Sequence, residues 1–134
     1  MMGVQIQLGL VFAAALLLAC AYSVPGTSEL ISPDDPEALK AAGFAMAEYN
    51  KASNDMFLHK VVSIVSAQRQ IVAGIKYILE VEVGKTQCRQ GEVDDLDSCA
   101  LHAIPKKQLC NFEVVVIPWL EDISLPKSMC TPFE

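Results

Sequence analysis

The stretch RQIVAGIKYILEVEVGK, residues 69–85, decides the fold because it contains the most regular alternation in the chain. Every second side chain from position 75 is apolar, and a period of two predicts a half-buried antiparallel strand: Ile75, Tyr77, Leu79, Val81 and Val83. The residues that precede this strand form an uncharged loop without the Asn-Gly or Asp-Gly usual at hairpin bends: Gln70, Ile71, Val72, Ala73 and Gly74. Two interpretations are open. Gly74 simply supplies the positive φ of a tight turn, or the apolar loop serves to contact a partner.

A helix is predicted to begin at Pro36, because Asp34 and Asp35 offer caps and proline suits the first helical position. Apolar side chains then recur at intervals of three or four, as in an amphipathic helix of about four turns: Leu39, Ala42, Met46 and Tyr49. The turn-forming residues 50–55 are expected to end it.

Strands are predicted on both sides of the quoted stretch. A β-branched strand covers residues 57–69, the alternating strand ends near Thr86, and two more cover residues 108–117 and 120–129. A short extended lead, residues 24–32, precedes the helix, and the acidic segment 92–97 lacks periodicity and is expected to form an irregular loop. One helix and two long hairpins predict an α+β fold, in which an antiparallel β-sheet of about five strands wraps around one long α-helix.

Residues 1–23 have the features of a secretory signal peptide. They contain no Lys, Arg, Asp or Glu, and residues 8–21 are almost continuously apolar. Cleavage is expected after Ser23, with Ala21 as the alternative, and a bacterial lipoprotein signal that would lipidate Cys20 is a competing interpretation. The run is too short for a membrane span. The protein is therefore expected to be secreted and extracellular, with residues 24–134 as its single domain.

The charge and the cysteines restrict the function classes. A net charge of −6 without a basic stripe argues against nucleic acid as a partner. An even number of cysteines in a small secreted domain predicts disulfides, formed among Cys88, Cys99, Cys110 and Cys130. Three connectivities are possible, and sequential pairing is the simplest. No Cys-x-x-Cys motif is present, and His59 and His102 have no third ligand at metal spacing, so neither a metal, a cofactor nor a catalytic residue is predicted.

Pro118 and Trp119 mark the bend of the second hairpin. The tryptophan could pack in the core, but a proline there ends regular pairing and favours a tryptophan exposed at the tip as an interface anchor. The two hairpins have arms of similar length, so both bends are expected at one edge of the sheet, with Gly26 beside them if the lead pairs alongside. We call Gly26, residues 70–74 and residues 118–119 the wedge, since they would suit a concave, apolar cleft.

These residues resemble the type 2, secreted cystatins, a family that inhibits papain-like cysteine proteases. Residues 70–74 match the Gln-x-Val-x-Gly loop of that family, Pro118-Trp119 its second hairpin and Gly26 its N-terminal glycine. The run FAMAEYNKASND, residues 44–55, is similar to the family helix. The order of the cysteines implies the pairs Cys88–Cys99 and Cys110–Cys130.

The resemblance implies a cystatin fold and a reversible, competitive, tight-binding inhibitor of cathepsin-type proteases rather than an enzyme. Residues 70–74 and Pro118-Trp119 would occupy the primed side of the protease cleft, and Val24, Pro25 and Gly26 the other side. Asn54 matches the asparagine with which some members inhibit legumain, although an ordinary helix-ending turn is the alternative. No membrane partner is implied. A monomer is expected, with a domain-swapped dimer available if residues 70–74 open.

Two rival functions use the same fold. A cathelicidin pro-domain or a fetuin-like binding protein would be expected to have degenerate loops, whereas both loops are intact here, and only four residues follow Cys130. A structural or carrier role ranks third, and it would be favoured if the wedge were buried in a homodimer.

Overall fold

The computed structural model describes residues 26–92, 94–104 and 106–132. It contains one helix, α1 (Pro36–Ala52), and five strands: β1 (Ser28–Ile31), β2 (Phe57–Val72), β3 (Gly74–Arg89), β4 (Lys107–Ile117) and β5 (Asp122–Pro132). The strands lie in the order β1-β2-β3-β4-β5, and every neighbouring pair is antiparallel. The predicted fold class is thereby confirmed. The predicted signal peptide, Val24 and Pro25 lie outside the described residues.

Strand β3 is the centre of the sheet, and its alternation places apolar side chains against α1. Tyr77, Leu79, Val81 and Val83 are buried, as predicted. Burying a Leu or Val side chain contributes about 1.5–3 kcal/mol relative to exposure, so this strand anchors the core. β2 and β3 also continue into the predicted loop, where Gln70 pairs with Lys76 and Ile71 with Ile75. Because β-branched residues suit extended pairing, the loop shrinks to a tight turn at Ala73.

The N-terminus of α1 follows the prediction. Asp35 is the N-cap, its side chain accepts a hydrogen bond from the Glu37 amide at 2.9 Å, and Pro36 occupies the first helical position. Such a cap typically contributes about 1 kcal/mol. The C-terminus lies two residues beyond the predicted start of the turn. Asn50 is buried there, and its amide donates to the His59 carbonyl and accepts from the His59 N–H, both at 2.9 Å, so it joins the helix to β2.

The buried face of α1 differs from the predicted one. Its core contacts come chiefly from small residues on one side of the helix, and Leu39, which the sequence places on the apolar stripe, is 51% exposed. Ala38, Ala41 and Ala45 are buried instead, together with Ala42 and Met46. Alanine allows the helix axis to lie close to the sheet, which leaves the longer Leu39 side chain at the flank.

Two disulfides close the domain. The structure contains the pairs Cys88–Cys99 and Cys110–Cys130, the pairing that the resemblance implies. Cys110 is buried on β4 directly opposite Cys130 on β5. The acidic segment forms a short 3₁₀ turn, Leu96–Ser98, where an irregular loop is expected. Among the described residues, no helix is long and apolar enough to cross a membrane.

Candidate functional site

The three segments of the wedge lie together at one edge of the sheet. The turn at Ala73 connects β2 to β3 at this edge of the sheet. β3 pairs with β4, and Ile75 lies opposite Val116. The turn at Pro118 therefore emerges beside residues 70–74. On the other side, β1 pairs with β2 with Ser28 opposite Gln70, which brings Gly26 to the same edge. The structure thus brings together the described residues of the predicted site, and their role in protease binding stays a prediction.

Gly74 is the tightest point of this edge. It has a φ of +130°, and a Cβ at this position would lie 2.5 Å from the Val116 carbonyl oxygen and 3.2 Å from Cγ1 of Ile117. Glycine is therefore required both by the backbone conformation and by the close approach of the second hairpin. The interpretation that Gly74 simply supplies a positive φ is incomplete, since this residue also sets the distance between the two bends.

A hydrogen bond and an ion pair fix the N-terminal segment to β2. The Gln70 side-chain amide donates to the Gly26 carbonyl, and the Arg69 guanidinium pairs with Glu29 across the β1–β2 ladder through Nε at 2.9 Å. The hydrogen bond and the charge of Glu29 raise the pKa of Arg69, so the guanidinium stays protonated. Sequence reasoning missed this contribution of Gln70, because nothing in the pattern shows which backbone group a surface glutamine reaches.

The outer surface of the wedge is apolar. Ile71 and Val72 are exposed, and Trp119 is 69% exposed, so the interpretation of Trp119 as a core residue is wrong. Residues 118–120 form a 3₁₀ turn that begins at Pro118 and is closed by Glu121 in the left-handed region at φ 50°. Leu120, which the sequence assigns to the last strand, belongs to this turn and is exposed beside Trp119. The wedge itself contains no charged side chain.

Asn54 lies at the opposite end of the molecule. It is exposed in the short connection between α1 and the start of β2, and the wedge lies at the other end of that strand. Asp55 anchors this connection: its carboxylate accepts from the Phe57 amide at 3.0 Å and pairs with Lys85 at 2.8 Å. The hydrogen bond from Lys85 holds the pKa of Asp55 below its ordinary value. His59 lies buried beneath it, where burial lowers the pKa of the imidazole.

The described residues contain neither a metal-ligand cluster nor a free cysteine. Within ranges 26–92, 94–104 and 106–132, no group of three His, Cys, Asp or Glu side chains could hold a metal ion. All four cysteines of these ranges are in disulfides, so none is available as a nucleophile.

Comparison with known proteins assigns the family. Residues 26–119 match the model of the cystatin domain. Cystatin-2 of Crotalus adamanteus is 45% identical over 132 residues, which are 92% of this chain and 96% of the relative. The cystatin of Coturnix japonica is 50% identical over 103 residues, 75% of this chain and 88% of the relative.

A solved structure agrees with this assignment. The crystal structure of dimeric human cystatin F is 37% identical and superimposes with a TM-score of 0.75, covering 85% of this chain and 93% of that chain. The family match covers more than half of the sequence and all three segments of the wedge. The chain therefore belongs to the cystatin family, as a type 2 cystatin with a cysteine protease inhibitor role and not as an enzyme.

Proposed function

We propose that this protein is secreted and inhibits papain-like cysteine proteases of the cathepsin type reversibly and competitively, by inserting the wedge into the active-site cleft. The observation that carries the proposal is the position of Gly26, residues 70–74 and Trp119 at one edge of the sheet. The wedge residues themselves are uncharged, and the side chains of Ile71, Val72 and Trp119 are exposed. A convex apolar ridge of this kind is complementary to a concave cleft.

The rigidity of the wedge supports tight binding. Residues 70–72 are held in the β2–β3 ladder, and Gly74 is packed directly against the backbone of Val116. Segments that are already ordered lose little conformational entropy on binding, so more of the contact energy contributes to affinity. Apolar and backbone contacts need no charge match, which allows one inhibitor to bind several related proteases.

The two sides of the wedge have different tasks in this proposal. Residues 70–74 and Pro118-Trp119 occupy the primed side, and Val24, Pro25 and Gly26 extend along the other. The turn passes the catalytic thiolate without placing a peptide bond in position for attack, so the inhibitor is released uncleaved. All contacts are non-covalent, and inhibition is accordingly reversible.

Titration of papain with the purified mature chain tests the proposal, with Trp119→Ala as the decisive variant. The parent chain is expected to inhibit tightly. Removing an exposed aromatic anchor typically costs about 2 kcal/mol of binding free energy, so the inhibition constant should rise about 30-fold. The free energy of unfolding should not change, because Trp119 contributes little to the core.

A matched control is Met129→Ala, which removes another exposed apolar side chain from β5 at a distance from the wedge. This variant should inhibit papain like the parent. Equal inhibition by the parent and both variants would contradict the wedge. If the parent inhibits neither papain nor a cathepsin, the fetuin-like or carrier function is favoured. A homodimer in sedimentation experiments, with Trp119 shielded from solvent in fluorescence experiments, would support that function.

We further propose a second site at Asn54, which would enter the specificity pocket of legumain. The exposed position of Asn54, on a connection anchored by Asp55 and Lys85, favours this candidate. Asn54→Ala should weaken legumain inhibition at least about tenfold and leave papain inhibition unchanged, whereas Trp119→Ala should do the reverse. Legumain activity that is equal in the presence and absence of the parent chain would show that Asn54 is only part of a helix-ending turn.

A further inference from the structure

The apolar stripe of α1 is wider than the part of it that the sheet buries. Ala42 and Met46 are buried, but Leu39, Gly43 and Ala47 recur at helical spacing along the flank of the same face and are exposed. Leu39 belongs to the apolar stripe of the amphipathic pattern, and the structure leaves its side chain 51% exposed. An exposed apolar strip beside a buried one is typical of a surface that binds another chain.

This flank of α1 forms one wall of an open groove. The opposite wall comes from the middle of β2, where Val61, Val62 and Ile64 line it, and Leu96 of the 3₁₀ turn also lines the groove. The groove has a volume of 790 Å³, which is enough to accept several side chains of a peptide segment. It lies along β2 well before Gln70, so it does not overlap the wedge.

The rim of the groove is acidic. Asp34, Asp95 and Asp97 are among its lining residues, all three are exposed, and no Lys, Arg or His in the described part of the chain lines it. Lys60, on the adjoining part of β2, donates to the Cys99 carbonyl at 2.5 Å. An apolar floor with carboxylates at the rim is complementary to an amphipathic segment that combines apolar and basic side chains.

We propose that this groove, formed by α1, β2 and the 3₁₀ turn, binds an amphipathic, basic segment of a partner protein. A second copy of the chain fits less well, since a two-fold symmetric contact would place the same aspartates opposite each other. Residues 1–25 also fit less well, because they contain no Lys or Arg. The groove shares no residue with the wedge, so the proposal is independent of protease inhibition, and simultaneous binding of a protease and the partner is expected.

The experiment measures binding of a labelled amphipathic helical peptide of leucine and lysine to the mature chain by fluorescence anisotropy, and maps it by NMR chemical shifts. The expected result is saturable binding that weakens with added salt, shifts confined to the groove, and no competition by papain. A peptide in which glutamate replaces lysine should not bind. Equal binding of the two peptides would overturn the proposal.

Two variants test the groove itself. Gly43→Leu fills it from the helix side; a Cβ there meets no atom of the described residues within 4 Å, so the variant should fold, and it should weaken binding at least about tenfold. Asp95→Asn with Asp97→Asn keeps the capping geometry and removes two charges, which should weaken binding about tenfold at low salt.

The matched control for the charge change is Glu121→Gln with Asp122→Asn, which removes two exposed charges outside the groove. This control should bind the peptide like the parent. If it loses as much affinity as the groove pair, the binding is unspecific attraction to an acidic protein and the proposal is wrong. Self-association of the chain that Gly43→Leu abolishes would also overturn it, in favour of a second copy as the occupant.

Discussion

Gly74→Glu is expected to weaken papain inhibition about a hundredfold. A Cβ at this position would lie 2.5 Å from the Val116 carbonyl oxygen, at a φ of +130° that L-residues rarely adopt. Strain of this kind costs about 1–3 kcal/mol, or about 5- to 150-fold in affinity if binding requires the parent geometry. A carboxylate beside a carbonyl oxygen adds repulsion. The two bends must therefore separate, and unlike Trp119→Ala this variant should also lower the free energy of unfolding.

Gly91→Glu is the matched control for that substitution. Gly91 also has a positive φ, +83°, but a Cβ there would meet no atom of the described residues within 4 Å, and it follows the opposite end of β3. Papain titration should give the parent inhibition constant for this variant. Gly74→Ala separates the causes, because it retains the backbone clash without the charge. Parent-like inhibition by Gly74→Glu would mean that the spacing of the bends does not matter for binding.

The alternation of apolar residues, with the bends marked by Gly74 and Pro118, was sufficient to predict the sheet. The period-two pattern from Ile75 to Val83 places the core side of β3 correctly, because a strand in a one-sided sheet has only two faces and the apolar one must be buried. A helix has more freedom. Ala38 and Leu39 are adjacent on α1 and project about 100° apart. Close packing of alanines turns the Ala38 side to the sheet and leaves the larger Leu39 side chain outside.

The candidate site could be predicted because its position depends on connectivity. In an antiparallel sheet of consecutive strands, the β2–β3 and β4–β5 bends lie at the same edge, which places Val72 and Trp119 together whatever their side chains do. The features that escaped prediction depend on three-dimensional contacts instead: the approach of Val116 to Gly74, the hydrogen bond from Gln70 to Gly26, and the inclusion of Leu120 in the turn. None of these has a local sequence signal.

Replacing Cys110 and Cys130 together by alanine is expected to cost roughly 3 kcal/mol of unfolding free energy or more. The bridge closes a separation of 20 residues, and the loss of such a cross-link typically costs about 3 kcal/mol through the entropy of the unfolded chain. Cys110 is also part of the buried core, so its removal leaves a small cavity. Chemical denaturation measures the loss directly, and the midpoint of thermal unfolding should fall by roughly 10–20 °C.

The other disulfide provides the control, because Cys88→Ala with Cys99→Ala opens a shorter separation of 11 residues at the far end of β3. We expect a smaller loss of stability there, roughly 2–3 kcal/mol, and inhibition of papain like that of the parent. β5 follows Trp119 almost directly and is exposed along most of its length. Cys110–Cys130 joins β4 to β5 toward the end of the hairpin away from the bend, so we expect it to support the second bend of the wedge by holding the two strands together. The folded Cys88 and Cys99 variant could lose papain inhibition while the folded Cys110 and Cys130 variant keeps it. That result would contradict a coupling between the Cys110–Cys130 bridge and the second bend of the wedge.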